Sequence, residues 1–250
     1  MSTQTDEQAV AEWEKWREGR AESVAAADGL LALTGTHWLD DLPDGVIPGL
    51  PGIWRLEDGS VVRELDGEKT VLETEGRPLH LPDGRKVLAI VREGLLAVRV
   101  WDADSPAVRA FTGIDAFDWE RRWVVPGVFR PFDTARSVRV PNADGRERGL
   151  GLAGELTFTV DGTEHTVSVT VQADGGLWAV VADGTSGKTS FRFRNVYTSA
   201  PAADGSVTVD LNRTSLPPCA FADAFICPFP PPGNALPFPL EAGERAVLSS

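Results

Sequence analysis

The chain is poor in the residue types from which many sites are built: two cysteines, three histidines, one tyrosine, four asparagines and four lysines in 250 residues. A structural zinc site needs four ligands, usually including closely spaced cysteines. Cys219 and Cys227 stand eight apart, and His37, His80 and His165 are scattered singly, so no metal centre is expected. Basic residues are outnumbered, and the formal net charge is −13. Nucleic acid and anionic membrane surfaces both require a basic footprint, so neither is an expected partner. No apolar run is long enough to span a bilayer. Met1-Ser-Thr-Gln-Thr-Asp-Glu7 is polar and acidic, without the basic-then-apolar order of a secretion signal. A cytoplasmic location with both cysteines reduced is therefore expected. The glycosylation acceptor Asn212-Arg-Thr214 carries no meaning there. Nucleophile-elbow, phosphate-loop and dinucleotide signatures are missing as well. Gly149-Leu-Gly-Leu-Ala-Gly154 echoes the last of these but leads into a strand, Leu156 to Val160, and no cofactor is expected.

What is present reads as β structure. Thr5 and Gln8 resemble a capping box, and Val10, Trp13 and Trp16 share a helical face through about Arg20. A second short helical piece, Ala21 to Ala27, stops at Asp28-Gly29. Asp-Gly then recurs through the chain, ten times in all, and suits tight turns in which both central residues need positive φ. Lys86 to Arg92 and Leu95 to Trp101 flank Glu93-Gly94 as a hairpin. Arg121 to Phe132, Glu164 to Gln172, Leu177 to Ala182 and Ser206 to Leu211 are further strands. The expected fold is mainly β, an antiparallel barrel or sandwich forming a single domain over residues 1–250. It divides into a helical appendage (1–28), a β domain (29–216) and an irregular proline-rich lid (217–250). Eight tryptophans supply core or pocket walls.

Rare residue types gather late in the chain. Both cysteines, Asn212 and Asn234 lie in or beside the proline-rich tail, with Asn195 and Tyr197 just upstream. Phe221, Phe225, Ile226, Phe229, Leu236 and Phe238 give that tail something to bury, so it is expected to fold over one end of the β domain. Period-two alternation places Asp210 and Asn212 on one face and Arg213 on the other. Asp183, Thr185 and Thr189 follow another strand, and Arg194 has the planar fork suited to a carboxylate or phosphate. The same residues also make turns and ion pairs that fasten a tail. Cys219 as a nucleophile requires a nearby cation or base, for which Arg213, Arg194 or His37 are available; otherwise both cysteines are small buried hydrophobes. His37, in Thr34-Gly-Thr-His-Trp38, has a pKa range suited to general-base work, although a histidine in such a setting is more often a surface or hydrogen-bonded core residue.

These residues resemble a bacterial and archaeal family, domain of unknown function 1684. The resemblance is carried by Asp183, Thr185, Gly187 and Thr189, then Arg194, then Asp210, Asn212, Arg213 and Pro217-Pro-Cys-Ala-Phe221. Cys227-Pro228, Pro230-Pro-Pro232, Asn234 and Ala242-Gly-Glu244 complete it. The chain departs from the pattern at Ser190, Asn195 and Ser215-Leu216, where the family has tyrosines and an asparagine, and at Gly233, where it has glutamate. The resemblance implies no particular reaction.

The expected function is a small-molecule-processing enzyme using cofactor-independent acid/base chemistry: hydrolysis, elimination or isomerisation in a polar pocket at one end of the barrel. Asp183 or Asp210 would be acid or base, Arg194 the anion clamp, Asn212 and Asn234 orienting amides, and Cys219 a nucleophile. Thr185, Thr189, Arg213 and His37 would complete the binding surface for a small polar or anionic molecule. The alternative is a non-catalytic β module that binds a ligand such as flavin or haem, or a partner protein. An oligomer is compatible with either reading.

Overall fold

The computed structural model describes residues 5–250. Met1 to Gln4, the start of the expected helical appendage, lie outside the described residues. The protein is mainly β, with antiparallel sheets and one long helix, α1 (Asp6–Ala25). Its capping box forms: the Gln8 N–H donates to Thr5 Oγ1 at 3.3 Å, and the Thr5 N–H donates to Gln8 Oε1 at 3.2 Å. Asp6 and Glu7 in the first turn oppose the positive end of the helix dipole. Where the sequence pattern suggested two helical pieces there is one, because Ala21 to Ala25 contains nothing that breaks a helix.

The chain forms two compact units. One comprises Ser23–Ala110 with Ala222–Phe225. It holds β1 (Leu33–Trp38), β2 (Ile53–Glu57), β3 (Ser60–Leu65), β4 (Glu68–Leu72), β5 (Leu79–His80), β6 (Lys86–Arg92), β7 (Leu95–Trp101) and the short α2 (Pro106–Ala110). The sheets run β1-β7-β6-β5 and β2-β3-β4. Alternate residues of facing strands, Val87 and Ala89 on β6 and Val98 and Val100 on β7, enter a core with Trp54 and Val61. The β6–β7 hairpin has the register read from sequence, Arg92 against Leu95, with positive φ at both Glu93 and Gly94. Asp58-Gly59, Asp66-Gly67 and, in the other unit, Asp161-Gly162 make the same two-residue turn.

The other unit comprises the N-terminal stretch to Glu22, Phe111–Phe221 and Ile226–Ser250. Its strands are β8 (Phe111–Ala116), β9 (Val124–Pro141), β10 (Glu147–Val160), β11 (Thr163–Val171), β12 (Leu177–Val181), β13 (Arg194–Thr198), β14 (Ser206–Asp210) and β15 (Glu244–Ser249). Six form one sheet in the order β13-β12-β11-β10-β9-β14, curved into half a barrel, while β15 pairs with β8. The chain end is thus a strand, although its sequence was read as irregular to the last residue. Pairing with β8, in the register Val247 to Ile114, supplies what local pattern could not.

The proline-rich tail is part of this unit's core. Leu236, Leu240 and Ala242 are buried in the same cluster as Leu156, Val169, Leu177 and Val209. Phe238 stacks on Trp123, with ring centroids 6.3 Å apart and planes 15° from parallel. The backbone is laced to the end of β12: the Leu236 N–H donates to Ala182 O at 2.8 Å, and the Ala182 N–H to Asn234 O at 3.0 Å. Gly243 has φ +76°, and a Cβ there would collide with the Thr214 carbonyl; this sharp bend feeds Glu244 into β15. Because Leu240 is fully buried, Leu240→Ala is expected to cost about 2–5 kcal/mol, the range for large-to-small core changes. The shift in urea midpoint at unchanged slope measures it; a loss under about 1 kcal/mol contradicts a core role for the tail.

Candidate functional site

The residues singled out in the sequence fall into several groups. His37 belongs to the smaller unit, on β1; the rest belong to the larger unit. Burial pushes the His37 pKa down, and its ring packs against Gly35. Beside it in sequence, Thr36 Oγ1 donates to Ala224 O at 2.7 Å and accepts from Arg99 Nε at 3.3 Å.

Asp183 and Arg194 are brought together by the β12–β13 pairing, in which Val181 faces Arg194. Their side chains are completely buried, with Arg194 Nη2 2.9 Å from Asp183 Oδ2. Asp183 Oδ1 accepts from the Thr185 N–H (2.7 Å), Thr185 Oγ1 (2.6 Å) and the Leu240 N–H (3.1 Å). Arg194 donates to three tail carbonyls: Ala242 O at 2.6 Å, Glu244 O at 3.1 Å and Leu240 O at 2.7 Å. Its Nε is buried without a partner, and none of the side chain is exposed to solvent. Burial alone would raise the Asp183 pKa, but the Arg194 charge and the Thr185 hydrogen bonds prevail and hold it below its ordinary value. Thr185 Oγ1 also shares a 2.7 Å hydrogen bond with Ser190 Oγ. Thr189 is exposed, and its carbonyl accepts from Arg245 Nε at 3.2 Å.

Asp210, Asn212 and Arg213 do not alternate across a strand. Leu211–Arg213 is a 3₁₀ turn, which brings residues three apart together, so Arg213 Nε curls back to Asp210 Oδ2 at 3.1 Å. Asn212 is buried and pairs with one peptide unit: its Oδ1 accepts from the Glu120 N–H and its Nδ2 donates to Glu120 O, both at 3.0 Å. The Asn212 carbonyl accepts from Trp13 Nε1 at 2.9 Å, tying α1 to the turn. Asn234 does the same where the β11–β12 ladder is short. Its Oδ1 accepts from the Ser168 N–H (2.8 Å), and its Nδ2 donates to Ser168 O (2.9 Å) and Val180 O (3.0 Å). Asn195 Oδ1 accepts from Trp178 Nε1 at 3.0 Å.

Cys219 and Cys227 form the remaining group. Both are buried, and no disulfide joins them. The Cys219 N–H donates to Cys227 Sγ at 3.2 Å. The Arg192 guanidinium charge acts on the Cys219 thiol. That guanidinium lies over Phe229 at 4.6 Å from the ring centroid and near Phe191 and Phe193, at 5.6 and 5.4 Å. The Cys227 hydrogen bond, and then Arg192, hold the Cys219 thiol below its ordinary value against the upward push of burial. Arg192 is exposed and was not singled out in the sequence. The run Phe191-Arg-Phe-Arg194 gave no signal of it: strict alternation would place both arginines on one face, whereas Arg194 is buried against Asp183 and Arg192 is exposed.

An open depression of about 600 Å³ lies elsewhere on this unit, between Glu14, Arg17 and Glu18 of α1 and Ile114 and Leu248 of the β8–β15 pair. None of the sequence candidates lines it. Among the described residues, no three His, Cys, Asp or Glu side chains cluster in a way that could hold a metal ion. No helix among them is long and apolar enough to cross a membrane.

A family model described as a protein of unknown function (DUF1684) matches residues 109–245. The chain is also similar to an uncharacterised protein of Haloarcula marismortui whose structure was solved by solution NMR. Identity is 28%, over 54% of this chain and 77% of that one, with a TM-score of 0.45. No curated protein matches.

The Asp183–Arg194 geometry has a measurable consequence. Removing one partner of a buried pair leaves the other uncompensated, so Asp183→Asn is expected to destabilise by about 3–5 kcal/mol at neutral pH. A carboxyl held below its ordinary value of 3.8 stabilises fully above that value and loses the contribution as pH falls through the lowered one. The stability gap between wild type and variant should therefore stay constant above about pH 5 and narrow only in stronger acid. Urea unfolding across pH tests this, and a gap that varies near neutrality contradicts it.

Proposed function

The chain belongs to the DUF1684 family of proteins of unknown function, and for this member we propose a cofactor-independent enzyme that processes a small polar or anionic molecule with Cys219 as its nucleophile. The observation that carries the reading is the Cys219 N–H to Cys227 Sγ contact of 3.2 Å, which places the two sulfurs side by side, with the Arg192 charge acting on the Cys219 thiol. A thiol becomes a useful nucleophile when a neighbouring cation and hydrogen bonds stabilise its thiolate. The setting of Cys219 has both. Arg192, held over Phe229 and exposed on its outer side, also provides the positive charge that would draw an anionic substrate toward the sulfur.

The bonding pattern moves the chemistry away from the carboxylates. An acid or base must reach its substrate, and Asp183 has no exposed side-chain surface and both oxygens engaged, whereas Cys219 keeps 5% exposure beside the exposed Arg192. Asp210 is about a quarter exposed but is committed to Arg213 and Asn212. Arg194, Asn212 and Asn234 are spent on internal hydrogen bonds in the same way. That commitment favours a second reading, a non-catalytic module holding a ligand such as flavin or haem, or a partner protein. A visible absorbance band from the protein purified without added ligand would support it.

Alkylation separates the two. In the native protein Cys219 is expected to react with iodoacetate, and Arg192→Ala should slow it roughly threefold for each unit the thiol pKa rises. The thiolate population falls about tenfold per unit, while intrinsic nucleophilicity recovers about half of that logarithm. Neutral iodoacetamide should be slowed less than anionic iodoacetate, because only the latter also loses electrostatic attraction. Cys219 inert in the native fold, or indifferent to Arg192→Ala, rules the thiolate reading out.

A further inference from the structure

The two sulfurs are more than neighbours. Cys219 sits in a single 3₁₀ turn, Pro218–Ala220, closed by the Ala220 N–H to Pro217 O (2.9 Å) and the Phe221 N–H to Pro218 O (3.0 Å). Cys227 is fixed from the other side. Its carbonyl accepts from the Ala143 N–H at 2.9 Å, and Asn142 Nδ2 donates to the adjacent Ile226 O at 3.2 Å. Two residues on, the Phe229 N–H donates to Pro141 O at 2.9 Å. Both thiols are thus presented from anchored backbone, and the Cys219 N–H to Cys227 Sγ contact of 3.2 Å keeps them in register. The environment is also asymmetric. The Arg192 charge holds the Cys219 thiol pKa down, which suits Cys219 to the attacking role, and Cys227 Sγ accepts the Cys219 peptide N–H.

We propose that Cys219 and Cys227 are an oxidisable dithiol, which closes to an intramolecular disulfide in exchange with a low-molecular-weight disulfide. The Cys219 thiolate attacks one sulfur of the small disulfide, forming a mixed disulfide and releasing the first small thiolate. Cys227 then gives up its proton to solvent and attacks Cys219 Sγ, which expels the second small thiolate. Two protein thiols are oxidised to one disulfide, and one small disulfide is reduced to two thiols. Arg192 acts in the first step, stabilising the attacking sulfur and drawing in a carboxylate-bearing disulfide. Closure withdraws Cys219 from further reaction, so the pair sets the working state of the site. The inference rests on the reactivity of Cys219 put forward above and names both a co-reactant class and a control on that reactivity.

The test uses the full-length reduced protein, incubated with oxidised glutathione at neutral pH, quenched in acid and weighed intact. The wild type is expected to become lighter by two hydrogen atoms and to retain no glutathione, with dithiothreitol restoring the starting mass. It should also lose iodoacetate labelling at Cys219. Cys227→Ser is expected to stop at the mixed disulfide, retaining one glutathione. Arg192→Ala should slow the first step by the same factor of roughly threefold per pKa unit. The wild type is the primary sample, so a variant that folds poorly does not leave the question open. A stable glutathione adduct on the wild type, or no reaction while Cys219 still alkylates, overturns the dithiol and leaves the thiolate reading standing. If neither cysteine reacts with any reagent in the native fold, both fall together. If the disulfide forms but Cys219→Ser retains full turnover on a substrate found by screening, the dithiol stands and the catalytic role falls.

Discussion

An irregular, proline-rich segment can enter a core only if its peptide groups find partners that are not in a sheet ladder. That requirement governs the larger unit. Prolines remove donors but leave carbonyls, and a buried carbonyl without a donor costs free energy comparable to a lost hydrogen bond. Arg194 answers with donors to three tail carbonyls, and Asp183 accepts the N–H groups of Leu240 and Thr185. Glu244, equally buried, accepts the Leu216 N–H at 2.6 Å and pairs with Arg20 at 3.1 Å, while Arg20 donates to Leu216 O. These charges are buried because the backbone they serve is buried. Their pairing with each other offsets the cost of desolvating them.

The rare amides work in the same way. A carboxamide has the donor and acceptor geometry of a peptide unit, so Asn212 and Asn234 stand in for missing strand neighbours at Glu120 and Ser168. Scarcity in the sequence therefore marked places where the fold needs a side chain to imitate backbone. At Cys219 a scarce residue has an exposed neighbour, Arg192, whose charge holds the thiol pKa down.

Much of the fold was legible because it is local. The capping box at Thr5 and Gln8 and the hairpin at Glu93-Gly94 each depend on residues a few positions apart, and both formed as read. Legibility failed where the deciding partner is remote. Leu211–Arg213 alternates like strand but turns, because Asp210 caps it and Asn212 leaves to pair with Glu120. β15 has no strand signal beyond its own few residues and exists through β8, more than a hundred positions earlier. The site divides along the same line. Asp183, Thr185 and Arg194 were read as ligand-facing groups, but whether a buried carboxylate faces a ligand or a main-chain N–H depends on where Leu240 lies. Arg192 escaped notice because its importance rests on Cys219, brought close only by the tertiary fold.

The lacing of residues 234–244 into the six-stranded sheet orders events during synthesis. Strands β9 to β12 can pair by successive hairpins as they leave the ribosome, but Leu236, Leu240 and Ala242 are made some fifty residues or more after β12. Until then the inner face of the half-barrel is open, with Leu156, Val169, Leu177 and Val209 uncovered and Asp183 and Arg194 without their main-chain partners. The nascent chain therefore passes through an interval in which that concave face is adhesive.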